Sequence, residues 1–261
     1  MPLRTVAATR YVTPLREGGS LPGLIEADDD GMYVLKFRGA GQGLKALIAE
    51  LVVGELGRAL GLPVPELVFV DVDAALGRNE ADFEIKDLIE KSAGLNLALD
   101  FLPGSLPYDP VVAPALDPQL ASAVVWFDAL TTNVDRTPRN TNMLLWHRQL
   151  WLIDHGAALY VHHSWDNWQQ RSRLPFAQIK DHVLLPQATA LAEADAALAP
   201  RLTPEVIDAT LALVPDAWLA EDHAFASAGE ARATYRTYLL GRLESPRLFA
   251  EEADRARARA V

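Results

Sequence analysis

The sequence predicts an α+β chain of two lobes: a small antiparallel sheet with one helix, followed by a mainly helical second half. Three observations predict it. Strand-like alternation and turn residues crowd the first hundred residues, helical periods with caps and N1 prolines fill the rest, and a stretch from Pro103 to Pro118 places five prolines in sixteen residues between them. The division expected is 1–104 and 105–261.

In order along the chain, "LPGLIEA", Asp28-Asp29-Asp30-Gly31 and "MYVLKF" have the form of a hairpin, with Asp30-Gly31 suited to a tight turn. The two-residue strand period sets Met32, Val34 and Lys36 on one face and Tyr33, Leu35 and Phe37 on the other. Apolar residues at Leu44, Leu47, Ile48, Leu51, Val52, Leu56 and Leu60 then mark a helix that ends at Gly61 and Pro63. "ELVFVDV" reads as a buried strand, "RNEADFEIKDLIEKSAG" fits helix or strand, and "LNLALDFLPG" is a strand running into a Pro-Gly break. Past the prolines, Asp117 and Pro118 open a helix through "QLASAVVWFDALTTN". Further helical segments are expected over "PFAQIKDHVLLPQATALAEADAAL", from about Thr203, and over "AGEARATYRTYLLGRLES", with "EEADRARARAV" as a frayed end.

Half the residues are hydrophobic and the formal charge is −11, a balance that argues against a broad grip on nucleic acid or an anionic membrane. With no cysteine, thiol catalysis, zinc–thiolate sites and disulfides are excluded. No segment approaches the ~18 uncharged apolar residues of a membrane span, and no leader pattern opens the chain. A cytoplasmic protein without nucleic-acid or membrane partners is expected.

The densest chemistry lies in "NVDRTPRNTNMLLWHRQLWLIDHG", residues 133–156. "MLLW" and "LWLI" around "HRQ" read as a hairpin, whose strands run about 4.8 Å apart, so Asn140 before it and Asp154 after it become neighbours. Asp135 lies five residues before Asn140 on a loop that Thr137-Pro138 keeps out of helix. Amide and carboxylate oxygens without histidine or cysteine suit a hard cation, typically Mg²⁺ completed by substrate phosphates. The spacing parallels the catalytic loop and metal-binding aspartate of protein kinases. Asn142 is assigned a structural role.

A kinase also needs a strand lysine and a helix glutamate. Lys36 shares an otherwise apolar strand face and requires a partner there; Glu50 in the following helix is its natural counterion, with Glu55 on a different face as runner-up. Upstream, "REGGSLPG" sets Gly18, Gly19, Ser20 and Gly23 before the hairpin, where backbone N–H groups can approach phosphates.

With "GGSLPG", "YVLKF", "AELVVGELGRALGLPVPE", "LALDFLPG", "NVDRTPRNTNML" and "LIDHG" in this order, the chain resembles the HipA-like kinases, atypical members of the protein-kinase-like superfamily that also holds phosphoinositide kinases. The resemblance implies a protein-kinase-like fold that uses ATP and Mg²⁺ to phosphorylate a hydroxyl of a protein Ser/Thr or a small molecule. It implies that Lys36 contacts the α/β phosphates and Glu50 pairs with it, that Asp135 is the catalytic base, and that Asn140 and Asp154 are Mg²⁺ ligands. Gly18, Gly19 and Ser20 would form the phosphate loop, Val34 would line the nucleotide site, and the backbone of Leu99, Asp100, Phe101 and Leu102 would be the hinge to adenine. His155-Gly156 stands where typical kinases carry Phe-Gly, and Asn133 opens the catalytic loop in place of histidine. The chain is shorter than full-length HipA toxins, which puts an antitoxin partner in doubt.

Two other classes compete: a catalytically weak, pseudokinase-like nucleotide-binding regulatory module, and a metal-dependent hydrolase using Asp135 and Asp154. The hydrolase would be favoured by the absence of a lysine–glutamate pair in space. Arg136 and Arg139 are open to a γ-phosphate role or to structural pairing. "YVHHSWDNWQQR" reads as a substrate-facing loop, in which strand geometry would point His162 and His163 to opposite faces, and Trp126, Trp146 and Trp151 read as core.

Overall fold

The computed structural model describes residues 3–15, 21–41, 43–78 and 80–260. The first half winds five strands, β1 (Thr5–Pro14), β2 (Gly23–Ala27), β3 (Met32–Lys36), β4 (Leu67–Val72) and β5 (Gly94–Asp100), into a closed barrel of order β1-β2-β3-β5-β4. The β2–β3 hairpin turns where expected, with Asp30 at φ +62°. The sheet departs from the all-antiparallel expectation at one ladder, where Thr5–Ala7 run parallel to Phe69–Asp71 and close the barrel. The reason is length: β2 pairs with Ala8–Pro14 of the ten-residue β1, and the residues left over reach β4. Local patterning carries no trace of so distant a pairing.

Alternation decides what faces inward. Ile25, Tyr33, Leu35, Phe37, Val68, Val70, Val72 and Ala98 fill the barrel, joined by Ile85 and Ile89 of helix α2 (Phe83–Lys91). That helix settles the ambiguous stretch; Asp82 caps it by accepting a bond from the Glu84 N–H at 3.0 Å. Leu67, Phe69, Leu97 and Leu99 face outward and join helix α1 (Gly43–Ala59) in a second, larger core. Lys36 pairs in register with Leu97 and leaves the barrel on this outer side.

α1 is buried almost all round because the barrel lies on one flank and later helices on the other. Its end is a Schellman motif: Gly61, at φ +78°, donates to Arg58 O, and Leu62 donates to Gly57 O at 2.9 Å. Burying each of Leu47, Ile48, Leu51 and Leu56 contributes about 1.5–3 kcal/mol.

Beyond Pro103, β6 (Leu106–Pro107), β7 (Met143–Trp146) and β8 (Gln149–Leu152) form a three-stranded sheet, with α3 (Pro118–Thr131) between β6 and β7 in sequence. The predicted Asp117 cap and N1 proline of α3 are present. The β7–β8 turn places His147 and Arg148 at φ +49° and +65°, the type I′ geometry whose twist suits a two-residue hairpin. The chain ends in short α4 (Trp168–Arg171), α5 (Leu191–Leu198), α6 (Pro204–Leu211), short α7 (Asp216–Leu219), α8 (Ala228–Leu243) and α9 (Leu248–Ala260).

Three further expectations are corrected. Residues 177–187, read as helix, form separate 3₁₀ turns before α5 begins. The tail is not frayed: Phe249, Ala253 and Ala256 of α9 are buried, with Phe249 edge-on to Trp126 at 5.5 Å. Its charges mask an apolar stripe one residue wide. The histidine pair lies in a 3₁₀ turn, Tyr160–His163, rather than a strand, and His162 is fully buried with Nδ1 2.9 Å from the Tyr235 hydroxyl. No helix among the described residues is long and apolar enough to cross a membrane.

Candidate functional site

The site begins with a carboxylate inside a helix. Asp128 points from α3 into the core with no exposure, and a bare charge there would cost several kcal/mol. Three donors hold it: Arg136 Nε at 2.6 Å, His182 Nε2 at 2.9 Å and Asn133 Nδ2 at 3.1 Å. Burial pushes the Asp128 carboxyl up, but Arg136 and His182 reverse this and hold it far below the usual range. Arg136 also donates to the Asn142 carbonyl, and Arg242 of α8 donates to the Ala129 and Leu130 carbonyls at the end of α3. The loop 133–142 is therefore fixed from below.

That foundation presents Asp135 upward. Its N–H bonds Asn133 Oδ1 at 3.1 Å, and its Oδ2 accepts from Asn140 Nδ2 at 2.7 Å and Asn142 Nδ2 at 3.1 Å. A bridge between Thr137 and Asn140 tightens the loop. The hairpin then returns the chain, and the Ile153 N–H donates to the Asn142 carbonyl. Asp154 follows at φ +56°, in the left-handed region that aspartate tolerates better than most residues.

Asp154 meets the barrel. Its Oδ1 lies 2.7 Å from Lys36 Nζ, while Glu50 Oε2 of α1 lies 3.7 Å from the same nitrogen. Burial works against the Lys36 charge, yet Glu50 and then Asp154 outweigh it and hold its pKa above the ordinary lysine value. Burial likewise pushes Glu50 up, and Lys36 followed by His155 turns it well below the glutamate range. Lys36, Glu50 and Asp154 thus share one charge cluster, buried at Glu50 and partly open at Asp154. Glu55, the runner-up, pairs with Arg58 at 3.2 Å instead.

The family model described as HipA-like kinase matches residues 9–251. The chain belongs to the HipA-like kinase family. No curated protein sequence matches it significantly. Among solved structures, the Helicobacter pylori proinflammatory kinase CtkA superposes with a TM-score of 0.58 at 14% identity, covering 100% of this chain and 99% of that one. The Golgi casein kinase matches with TM-scores of 0.45, in a crystal with Mn/ADP bound, and 0.42, at 14% and 13% identity; 96% and 95% of this chain and 75% of each of those chains are covered. The likeness to CtkA is one of fold, and it makes this HipA-like kinase a kinase-fold protein from end to end.

The remaining expected residues of the HipA-like kinase fall as follows. Gly18, Gly19 and Ser20 lie outside the described residues. Val34 is half-buried on the Lys36 face. In the segment Leu99–Leu102, the Asp100 N–H donates to Glu66 O at 2.8 Å and the Phe101 N–H to Met32 O at 3.1 Å. Asp100 and Leu102 also line an open cleft of about 440 Å³ with Pro63, Pro65, Trp146 and Trp151. Trp146 and Trp151 are thus cleft walls, whereas Trp126 is core as expected. Arg136 is buried under the loop and paired with Asp128, while Arg139 is exposed.

Asp128 and His182 are structural residues that no motif marks, whereas Asn142 and His155 lie within "NVDRTPRNTNML" and "LIDHG". A signal for Asp128 did exist: a single carboxylate within "VVWFDAL" must either break the helix's apolar packing or find buried partners. Asn142, assigned a structural role, touches Asp135 directly.

Proposed function

We propose that this HipA-like kinase transfers the γ-phosphate of ATP, with Mg²⁺, to a hydroxyl of a protein Ser/Thr or of a small molecule. The observation that carries the reading is the meeting of Lys36, Glu50 and Asp154 from a strand, a helix and a hairpin end, across 118 residues of sequence, beside a rigid loop that presents Asp135. The pair whose absence would have favoured a hydrolase is present. Residues 1–104 and 105–261 are the two lobes of this proposal, and a cytoplasmic location is part of it.

The donor set suits the metal. Asp154 Oδ2 makes no bond among the described residues, and Asn140, with Nδ2 turned to Asp135, has its amide oxygen directed elsewhere. Among the described residues no three His, Cys, Asp or Glu side chains form a metal cage. One carboxylate and one amide oxygen, completed by phosphates and water, is a customary Mg²⁺ environment. When bound, the ion would neutralise charge that develops on the phosphates.

The side chains divide the remaining work. Lys36 gives a positive charge to the α/β phosphates, and Glu50 holds that ammonium in place when Asp154 turns to the metal. Asp135, oriented by two amide donors on Oδ2, keeps Oδ1 for the acceptor hydroxyl and takes its proton as the oxygen attacks. The backbone of Leu102, beyond the engaged Asp100 and Phe101 amides, is assigned to adenine. The test is thermal unfolding with and without MgATP: stabilisation is expected for the wild type and its loss in Asp154→Ala, and an unchanged melting temperature in both overturns the reading.

A further inference from the structure

The two ionisable groups nearest the centre of the site are also the least satisfied. Glu50 is 1% exposed and His155 is 0% exposed. Neither carboxylate oxygen and neither ring nitrogen has a hydrogen-bond partner among the described residues. His155 Nδ1 lies 3.4 Å from Glu50 Oε1, just beyond a settled bond, and Lys36 Nζ lies 3.7 Å from Glu50 Oε2. Both side-chain donors stop short of an ordinary bond to this carboxylate, so either can strengthen its hold by closing.

Backbone geometry explains why His155 is there. The left-handed turn at Asp154 sends that side chain to Lys36 and the next one into the core against α1. An apolar side chain at 155 would leave Glu50 with no side-chain donor but Lys36. Lys36, in turn, is closer to Asp154 than to Glu50.

We propose that His155 is a positioning residue whose Nδ1–H closes onto Glu50 Oε1 and keeps that carboxylate aimed at Lys36 when Asp154 releases the lysine. Its kinetic consequence rests on the phosphoryl-transfer reading; its geometry does not. Glu50 therefore works between two donors, one fixed in the core and one that moves with the nucleotide.

Two measurements on the full chain test it. In ¹⁵N-histidine spectra, with the signal assigned by its loss in His155→Gln, Nδ1 is expected to carry the proton and to shift in Glu50→Gln. An unprotonated Nδ1, or a signal blind to Glu50→Gln, overturns the proposal whether or not the protein is a kinase. In steady-state assays, His155→Phe is expected to raise KM for ATP about tenfold, the worth of one hydrogen bond to a charged group, and His155→Gln to recover most of it. In a Glu50→Gln background His155→Phe should add nothing. Equal losses in the Phe and Gln variants, or additive losses in the double variant, overturn it. A wild type without phosphoryl transfer sinks the functional reading instead, and the spectra then decide His155.

Discussion

Two buried carboxylates, Asp128 and Glu50, sit in the same core and are treated in opposite ways. Asp128 has three donors within 3.1 Å; the two side-chain donors to Glu50 stand off at 3.4 and 3.7 Å, with the His155 backbone N–H also facing it. A satisfied network rigidifies what it touches, and here it touches the loop that carries Asp135. An incompletely bonded one leaves its donors room to shift, and here it adjoins the lysine assigned to the phosphates. The difference teaches that rigidity and poise are kept apart in this fold, one under the loop and the other beside the barrel.

The comparison breaks first at Asp128. Replacing it with alanine leaves Arg136 and His182 buried without their anion, and a loss of about 3–5 kcal/mol in urea unfolding is expected. Acid comes next. His162, with its pKa lowered to about 3 by burial, takes up its proton only when the chain unfolds, and His182 is lowered in the same direction, mainly by burial. Between the ordinary histidine value near 6.5 and about 3 the unfolded state holds the His162 proton and the folded state does not, so stability falls as pH drops, by about 1.4 kcal/mol per pH unit for His162, with His182 adding in the same direction. Asp128 and Glu50, both depressed, add to the loss below about pH 4. A stability-against-pH curve that stays flat from 7 to 5 would contradict the buried-neutral assignment.

Glu50→Gln should invert the pattern of Asp128→Ala. Lys36 keeps Asp154 at 2.7 Å, so a smaller loss in urea unfolding than for Asp128→Ala is expected, while phosphoryl transfer falls roughly a hundredfold. The smallest effect is expected at Lys45, in the first turn of α1, which pairs with Asp222 at 3.1 Å and bonds the His162 carbonyl. The pair is partly exposed, and Lys45→Met should cost about 0.5 kcal/mol by the same measurement.

Much of this was legible in the sequence, and the exceptions share a cause. The β2–β3 hairpin, α1 with its glycine stop, the cap of α3 and the β7–β8 hairpin follow from local period and turn chemistry. Lys36 stood out as an ammonium on an apolar strand face. The parallel closure of the barrel, the His182 partner of Asp128 and the burial of His155 and His162 depend on segments 54 to 105 residues apart, which no local pattern encodes. The α9 tail was hidden by its charges, because three small or aromatic residues suffice to seat it on α3. Asn140 and Asn142 are chemically alike and two apart, and only the fold shows that both donate to Asp135.

The most direct test concerns Asp135. Radiolabelled γ-phosphate transfer and MgATP binding should be measured together for wild type and Asp135→Asn. The expected result is transfer in the wild type, a loss of about a thousandfold in the variant, and MgATP affinity within about threefold of wild type. Transfer that survives Asp135→Asn, or a wild type that binds MgATP and transfers nothing to water or any hydroxyl, would contradict the assignment of this loop to phosphoryl transfer.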